Sequence, residues 1–361
     1  LGFSMITFLK LLILASSAGV VIIFSYLLIN SYTTITSTST ITVPALIQDA
    51  VIFDHATIAT VQNEPSYIFF TGDVMLARHV EVLLQDNRIK PYDFISLFAT
   101  AKAVFTNFES AMSNPHVPTP SGAMRFSSTQ SSLALLETLH VSHASLANNH
   151  SRDYGREGHA YASASLHVLG IESFGDAVTV SSSSLTYAKV GSTTIAVLGI
   201  HTLFVPPDRM IMKHPLSDAK STSDLQFVYI HWGDEYELIH NRNQEELATW
   251  FAQEGVDAVI GHHPHVVQDI GLIENMPVFY SLGNFVFDQY FSPDVKTGLV
   301  LGLEVTPKTL QFTLYPQSQC AKATPCLMNK EAETTFLLGL SDRSDDALFD
   351  QIVAKNIVIP R

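Results

Sequence analysis

The segment Ala258-Val259-Ile260-Gly261-His262-His263-Pro264-His265 opens as a short apolar run and closes on a cluster of imidazoles. A brief apolar run bounded by turn residues reads as a strand buried on both faces. The same arrangement recurs six more times along the chain. Residues 67–70 lead into Thr71-Gly72-Asp73, 103–105 into Asn107-Phe108-Glu109, and 141–147 into Asn148-Asn149-His150. Residues 194–200 end at His201, 225–230 at His231-Trp232-Gly233-Asp234, and 278–282 at Gly283-Asn284; a further run spans 298–305. Helix-like stretches at 131–139, 156–169 and 244–254 separate several of them. This order predicts an α/β fold, with doubly buried strands in a layered sandwich and helices outside. Ligands of such sheets bind at the carboxyl ends of the strands, so these terminal residues are expected to converge on one site.

Composition narrows the function classes. Among 361 residues there are 34 acidic and 20 basic side chains, a formal charge of −14, which argues against nucleic acid as a partner. With 47% hydrophobic and 15% charged residues the chain has ample material for a core. Fifteen histidines make metal binding or proton transfer a natural question.

Residues 11–29 carry no charge and match the roughly 20 residues of a membrane-spanning helix. Lys10 precedes this run, the next basic residue is Arg78, and the Thr/Ser-rich stretch 32–42 follows as a linker. An uncleaved single-pass anchor is expected, with the N-terminus cytoplasmic and the main domain outside. A cleaved signal peptide is the rival, since Ala15, Ala18 and Gly19 are small, but the apolar run continues past them. Cys320 and Cys326 fit either a local disulfide in an oxidising compartment or two buried thiols.

The residue types at the strand ends suit a metal site. Carboxylates, an Asn carbonyl and imidazoles together favour Zn, Mn or Fe over a pure-oxygen ion such as Mg or Ca. His263 and His265, two apart in an extended segment, are expected to point the same way, with Pro264 stiffening the turn and His262 outside the pair. Each residue alone has a plainer reading: Asn149 as a turn residue, Asp73 and Glu109 as helix caps, His231 as a core histidine. All seven strand ends finishing in polar or metal-capable groups favours a shared site.

The motifs Phe70-Thr71-Gly72-Asp73-Val74-Met75-Leu76, Asn107-Phe108-Glu109 and Leu146-Ala147-Asn148-Asn149-His150 with Asp153-Tyr154-Gly155 resemble the CapA family of poly-gamma-glutamate capsule synthesis proteins. So do His231-Trp232-Gly233 with Glu235-Tyr236, Gly261-His262-His263-Pro264-His265-Val266 and Tyr280-Ser281-Leu282-Gly283-Asn284-Phe285. The resemblance covers 67–305, roughly two thirds of the chain. It implies a four-layer αββα sandwich of metallophosphoesterase type, here preceded by one N-terminal transmembrane helix. The implied organisation is an anchor at 1–30, a linker at 31–65, a CapA-type metallophosphatase-like domain at 66–306 and a C-terminal extension at 307–361. It also implies one or two divalent ions held by Asp73, Glu109, Asn149, His231, His263 and His265, with His150 assisting a leaving group. Glu235 and Asn284 are family positions of unassigned role.

One departure bears on activity. Phosphoesterases carry a histidine two residues after the first Asp, and here Met75 stands there and reads as core, while Glu109 replaces the usual Asp. Glu235, His201 or water would have to complete the shell. Arg78 and Arg152 follow motifs closely and, with Arg125 and Arg156, read either as clamps for carboxylate or phosphate or as solvated charges; Arg78 joins His150 as a catalytic candidate. The leading expectation is an anchored protein of capsule or poly-gamma-glutamate synthesis or export. The others are a metal-dependent phosphoesterase or related hydrolase at the cell surface, and a structural ectodomain whose site has become a polar cluster. Expected partners are an anionic surface polymer or phosphorylated substrate, the membrane, and other capsule-synthesis membrane subunits.

Overall fold

The computed structural model describes residues 67–361 apart from 121, 205 and 206. The expected anchor and linker fall outside the described residues, among which no helix is long and apolar enough to cross a membrane.

The chain first lays down four parallel strands, β1 (Tyr67–Val74), β2 (Ala103–Phe108), β3 (His143–Ser145) and β4 (Glu172–Phe174). They are joined by α1 (Arg78–Gln85), α2 (Tyr92–Phe98), α3 (Ala134–Thr138) and α4 (Gly155–Val168). It then builds a separate six-stranded sheet from β5 (Leu185–Val190), β6 (Thr193–His201), β7 (Leu225–His231), β8 (Ala258–His262), β9 (Ile270–Ile273) and β10 (Met276–Phe279), ordered β5-β6-β7-β8-β10-β9. Helices α5 (Arg209–Thr222) and α6 (Arg242–Gln253) make its crossovers. The expected helix at 244–254 thus starts two residues earlier. Asn241 caps it, its side chain accepting from Gln244 N while Gln244 Oε1 accepts from Asn241 N.

The chain finally returns to the first sheet with β11 (Asn284–Val286), β12 (Thr297–Val305), β13 (Thr309–Ala321), β14 (Thr324–Leu327) and β15 (Asn356–Pro360). The nine-stranded result has the order β14-β13-β12-β1-β2-β3-β4, with β11 beside β1 and β15 beside β13. Residues after 306, expected as an extension, therefore continue this sheet. Helix α7 (Lys330–Arg343) and α8 (Phe349–Val353) add Leu337, Leu340 and Ile352 to the space between the sheets. Cys320 and Cys326, across the β13–β14 hairpin, are joined as a disulfide.

Three apolar clusters define four layers. Between the sheets lie Phe70, Phe105, Phe227, Ile260, Leu301 and Phe312. Behind the larger sheet, Val80, Phe94, Leu136 and Leu166 seat α1 to α4 on Val104 and Phe108. Behind the smaller one, Met212, Leu216, Ala248 and Phe251 seat α5 and α6 on Val228, Ile230 and Val259. Each such ring or branched side chain contributes roughly 1.5–3 kcal/mol on burial. Strands buried on both faces follow directly, as the continuous apolar runs predict.

Candidate metal centre

Strand alternation carries the inter-sheet core into the site. On β7 Phe227, Tyr229 and His231 share a face; on β8 Ala258, Ile260 and His262 do; on β6 Ile195, Val197 and His201 do. Parallel register sets His201 beside His231 and His231 beside His262, a row of three imidazoles. Facing it, the larger sheet aligns Asn107 with Asp73 and Asp73 with Asn284. Phe105, Asn107 and Glu109 alternate regularly onto this face, but Phe70 and Asp73 are three apart and would face opposite ways in a regular strand. A register shift between Phe70 and Asp73 turns the carboxylate inward. Gly72 within it permits the close strand contact, since a Cβ there would stand 2.0 Å from the Gly283 carbonyl oxygen.

Asp73 is the hub. Its Oδ1 accepts from Asn107 Nδ2 at 2.8 Å and lies 3.2 Å from His262 Nδ1. Its Oδ2 accepts from His263 N at 3.3 Å and lies 3.4 Å from His265 Nδ1. Glu109, wholly buried, directs Oε1 to within 3.7 Å of His265 Nε2 and 3.9 Å of His150 Nε2, with no hydrogen-bond partner among the described residues. Two sets of three side chains bring ligand atoms within 4.8 Å of one another: Asp73, Glu109 and His231, and Glu235, His263 and His265. A buried carboxylate oxygen without a donor, among imidazoles and a second carboxylate, fits a divalent cation better than a self-satisfied polar cluster.

Electrostatics separate the two acids. Burial alone would raise Asp73, but the His262 and His265 imidazoles overcome it and hold the carboxyl well below its usual range. Burial pushes Glu109 well above the carboxylate range; His265 opposes this, while Asp73 and Glu235 add to it. Among the imidazoles, burial lowers His263 to about 3 and His231 well below 6.5. Burial would also lower His265, yet Glu109, Asp73 and Glu235 hold it at about 9. Neighbouring titratable groups driven apart in this way are a mark of functional sites.

The backbone is unusual at the same place. Arg78, Tyr236, His263 and His265 all have positive φ, at 52°, 68°, 99° and 60°. Left-handed conformations in such residues cost on the order of 1–3 kcal/mol each and concentrate at functional sites. They also correct an expectation: the chain bends through His263 and His265 instead of running extended. The two rings still reach one ligand group, with centroids 5.7 Å apart.

The other expected residues take distinct places. His231 is bonded at both nitrogens, Nδ1 to Asn107 Nδ2 at 3.2 Å and Nε2 to Asn149 Oδ1 at 2.9 Å. An ion taking both Nε2 and Oδ1 would replace that second bond. His150 donates Nδ1–H to Asp153 Oδ2 at 2.8 Å, leaving Nε2 on the Glu109 side. Asn284 accepts from His265 Nδ1 at 3.0 Å, which gives this family position a role in orienting a ligand. Met75 is buried core. Arg78 is paired with Asp288 and lies 4.5 Å over Phe126, whose ring also stacks on His150 at 3.9 Å. Arg152 is bound to Asp176, and Arg125 donates to the Asp153 carbonyl.

Sequence reading gave no site role to Asn107, Asp153 or Asp288, and it set His262 outside the His263–His265 pair. His262 belongs to neither ligand group, as expected, yet it is buried against Asp73 instead of standing apart from the site. Counting by twos from Ala258 and Ile260 would have placed it on the site face.

The chain is 29% identical over 296 residues to a Bacillus subtilis protein described as PGA biosynthesis protein CapA, covering 76% of this chain and 77% of that protein. It is 28% identical over 280 residues to capsule biosynthesis protein CapA of Bacillus anthracis, covering 66% and 64%. A solved structure described as a novel phosphatase, from Mycoplasma pneumoniae, aligns at 14% identity with a TM-score of 0.41, over 70% of this chain and 88% of that one. The chain belongs to the family described as bacterial capsule synthesis protein PGA_cap, whose model matches residues 67–289.

Proposed function

We propose that this chain acts in synthesis or export of an anionic capsule polymer such as poly-gamma-glutamate, through a divalent-metal site of metallophosphatase type. The carrying observation is Glu109 Oε1, buried without a donor among the described residues and beside two three-residue ligand sets. Asp73, Glu109, His231, His263 and His265 would hold one ion or two, with Asn149 and Glu235 completing the shells, and Zn, Mn or Fe suits this donor set. When bound, the ion supplies Lewis-acid polarisation of a phosphoryl or carbonyl oxygen. Asn284 and Asn107 orient His265 and Asp73 toward it. Arg78 is the candidate clamp for the polymer's carboxylates or for phosphate, an anion that would compete with Asp288 for its guanidinium. The apolar run at 11–29 would anchor the protein in the membrane with this domain outside, beside other capsule-synthesis subunits.

Hydrolysis of a phosphorylated surface substrate is the second reading, favoured by the His150–Asp153 pair. Asp153 fixes the proton on His150 Nδ1, so Nε2 is free to exchange a proton with a leaving group. Elemental analysis of the full chain, purified without chelator, tests the shared premise. At least one Zn, Mn or Fe per chain is expected, and occupancy below about 0.2 would overturn both readings. Turnover of a generic phosphodiester that vanishes in Asp73→Ala and His263→Ala supports the hydrolase; metal without turnover supports polymer handling.

A further inference from the structure

The three histidines in register across β6, β7 and β8 are not equivalent. His231 is a member of one ligand group and is bonded at both nitrogens, and His262 packs on Asp73. His201 belongs to neither group, although it is 4% exposed and its ring lies 5.9 Å from that of His231. Its Nδ1 stands 2.9 Å from the Ala177 carbonyl oxygen. A carbonyl can only accept, so the proton sits on Nδ1 and Nε2 carries a bare lone pair. That Nε2 is buried and has no partner among the described residues. The ring is locked by Ala177 on one edge and meets Phe204 edge-on at 5.0 Å, so it cannot turn to satisfy itself without giving up the Nδ1 bond. The ion groups do not account for it, and a buried acceptor of fixed direction selects a ligand that brings a proton.

We infer that His201 is a substrate-binding residue whose Nε2 accepts a hydrogen bond from a donor-bearing oxyanion seated at the metal centre. Hydrogen phosphate and phosphomonoesters in their protonated form belong to this class; sulfate, fully deprotonated at neutral pH, does not. The inference rests on the metal centre receiving an anion, as proposed above, and adds which anions it prefers.

The full chain in detergent, loaded with Zn²⁺ and labelled with 15N-histidine, is titrated separately with inorganic phosphate and with sulfate. Phosphate is expected to bind at least about tenfold more tightly than sulfate. The His201 Nε2 resonance should move with phosphate and stay in place with sulfate. His201→Phe should bring the ratio to within about twofold at unchanged Zn²⁺ content, and His201→Gln, whose amide oxygen can accept, should keep part of the preference. An unchanged ratio in His201→Phe, or phosphate saturation that leaves the Nε2 resonance unmoved, overturns the inference while the metal reading stands. Loss of Zn²⁺ in His201→Phe also overturns it, making His201 a ligand. If His201→Phe does not fold, the wild-type resonance decides alone. Failure of phosphate to bind the Zn²⁺-loaded wild type overturns the anion-binding reading together with this one.

Discussion

The space between the two sheets has a dry end and a polar end, built by the same strands. At the dry end Phe70, Phe105 and Phe227 pack ring on ring, with centroids 5.1 and 6.0 Å from Phe70. A few residues further along, these strands present Asp73, Asn107 and His231, joined by hydrogen bonds of 2.8 and 3.2 Å. Packing without directional bonds at one end holds donors and acceptors to a fixed geometry at the other. The difference implies a division of labour: substitutions at the dry end act on folding, and those at the polar end act on ligands while leaving the fold standing.

The largest effect therefore belongs to the dry end. Phe227→Ala should cost about 3–5 kcal/mol in a denaturant titration, because the ring touches both sheets and the cavity cannot collapse onto a rigid sandwich. A loss under about 1 kcal/mol would show that the sheets are held elsewhere and would remove the basis of the comparison. At the polar end, Asn284→Ala should weaken metal binding by roughly 10–100-fold, since Asn284 orients His265, and should cost less stability than Phe227→Ala, about 1–2 kcal/mol, because its amide also donates to the buried His265 and Val295 carbonyls. Calorimetric titration with Zn²⁺ checks it, and unchanged affinity would leave Asn284 a purely structural residue.

Much of this division was readable beforehand. Apolar runs ending in polar groups announced the strands and their convergence, and alternation from Ala258 or Phe227 predicts which histidine faces inward. Period two in Leu310, Phe312 and Leu314 likewise marks β13 as a strand with one face in the core, so the tail's membership of the sheet was legible in principle. The turn of Asp73 onto the site face was not, because Gly72 inside the run signals only a bulge or close approach, and the direction of a register shift depends on the partner strands. Asp288, which engages Arg78, was hidden for the same reason: an acidic residue far away in sequence becomes a partner only through the fold, whereas Asp153 lies three residues from His150 and pairs with it within one turn.

The polar end should also govern how stability varies with pH once metal is removed. His265 is raised to about 9 from 6.5, so its contribution is complete below pH 6.5 and is lost as pH rises toward 9. Glu109, raised above 4.5, changes in the same direction, whereas His263, lowered to about 3, contributes fully above 6.5 and adds no slope there. Chelator-treated protein should therefore lose on the order of 1 kcal/mol between pH 6.5 and 9, and metal-loaded protein should not, because a ligand imidazole is already deprotonated. Equal slopes with and without metal, followed by thermal unfolding, would separate these groups from the ion.

The boundary between the two ends gives the smallest and most discriminating test. Thr71 and Thr106, both fully buried, lie along the strands between the phenylalanines and the Asp73–Asn107 pair, with Thr106 turned to the helix side of the larger sheet between Val104 and Phe108, and Thr71 Oγ1 donates to Thr106 Oγ1 at 2.9 Å. Removing one partner strands a buried hydroxyl, so Thr71→Val alone should cost about 1 kcal/mol. Thr106→Val should cost less, because Thr71 Oγ1 can fall back on the Gly72 carbonyl, now 3.3 Å away. Replacing both by valine keeps the shape and removes both hydroxyls together, and should be nearly neutral. If the boundary is only packing, the double variant also binds Zn²⁺ as the wild type does. If instead Zn²⁺ affinity falls in the double variant while stability holds, the polar end begins at Thr71, and the hydroxyl pair is part of what sets the direction of Asp73.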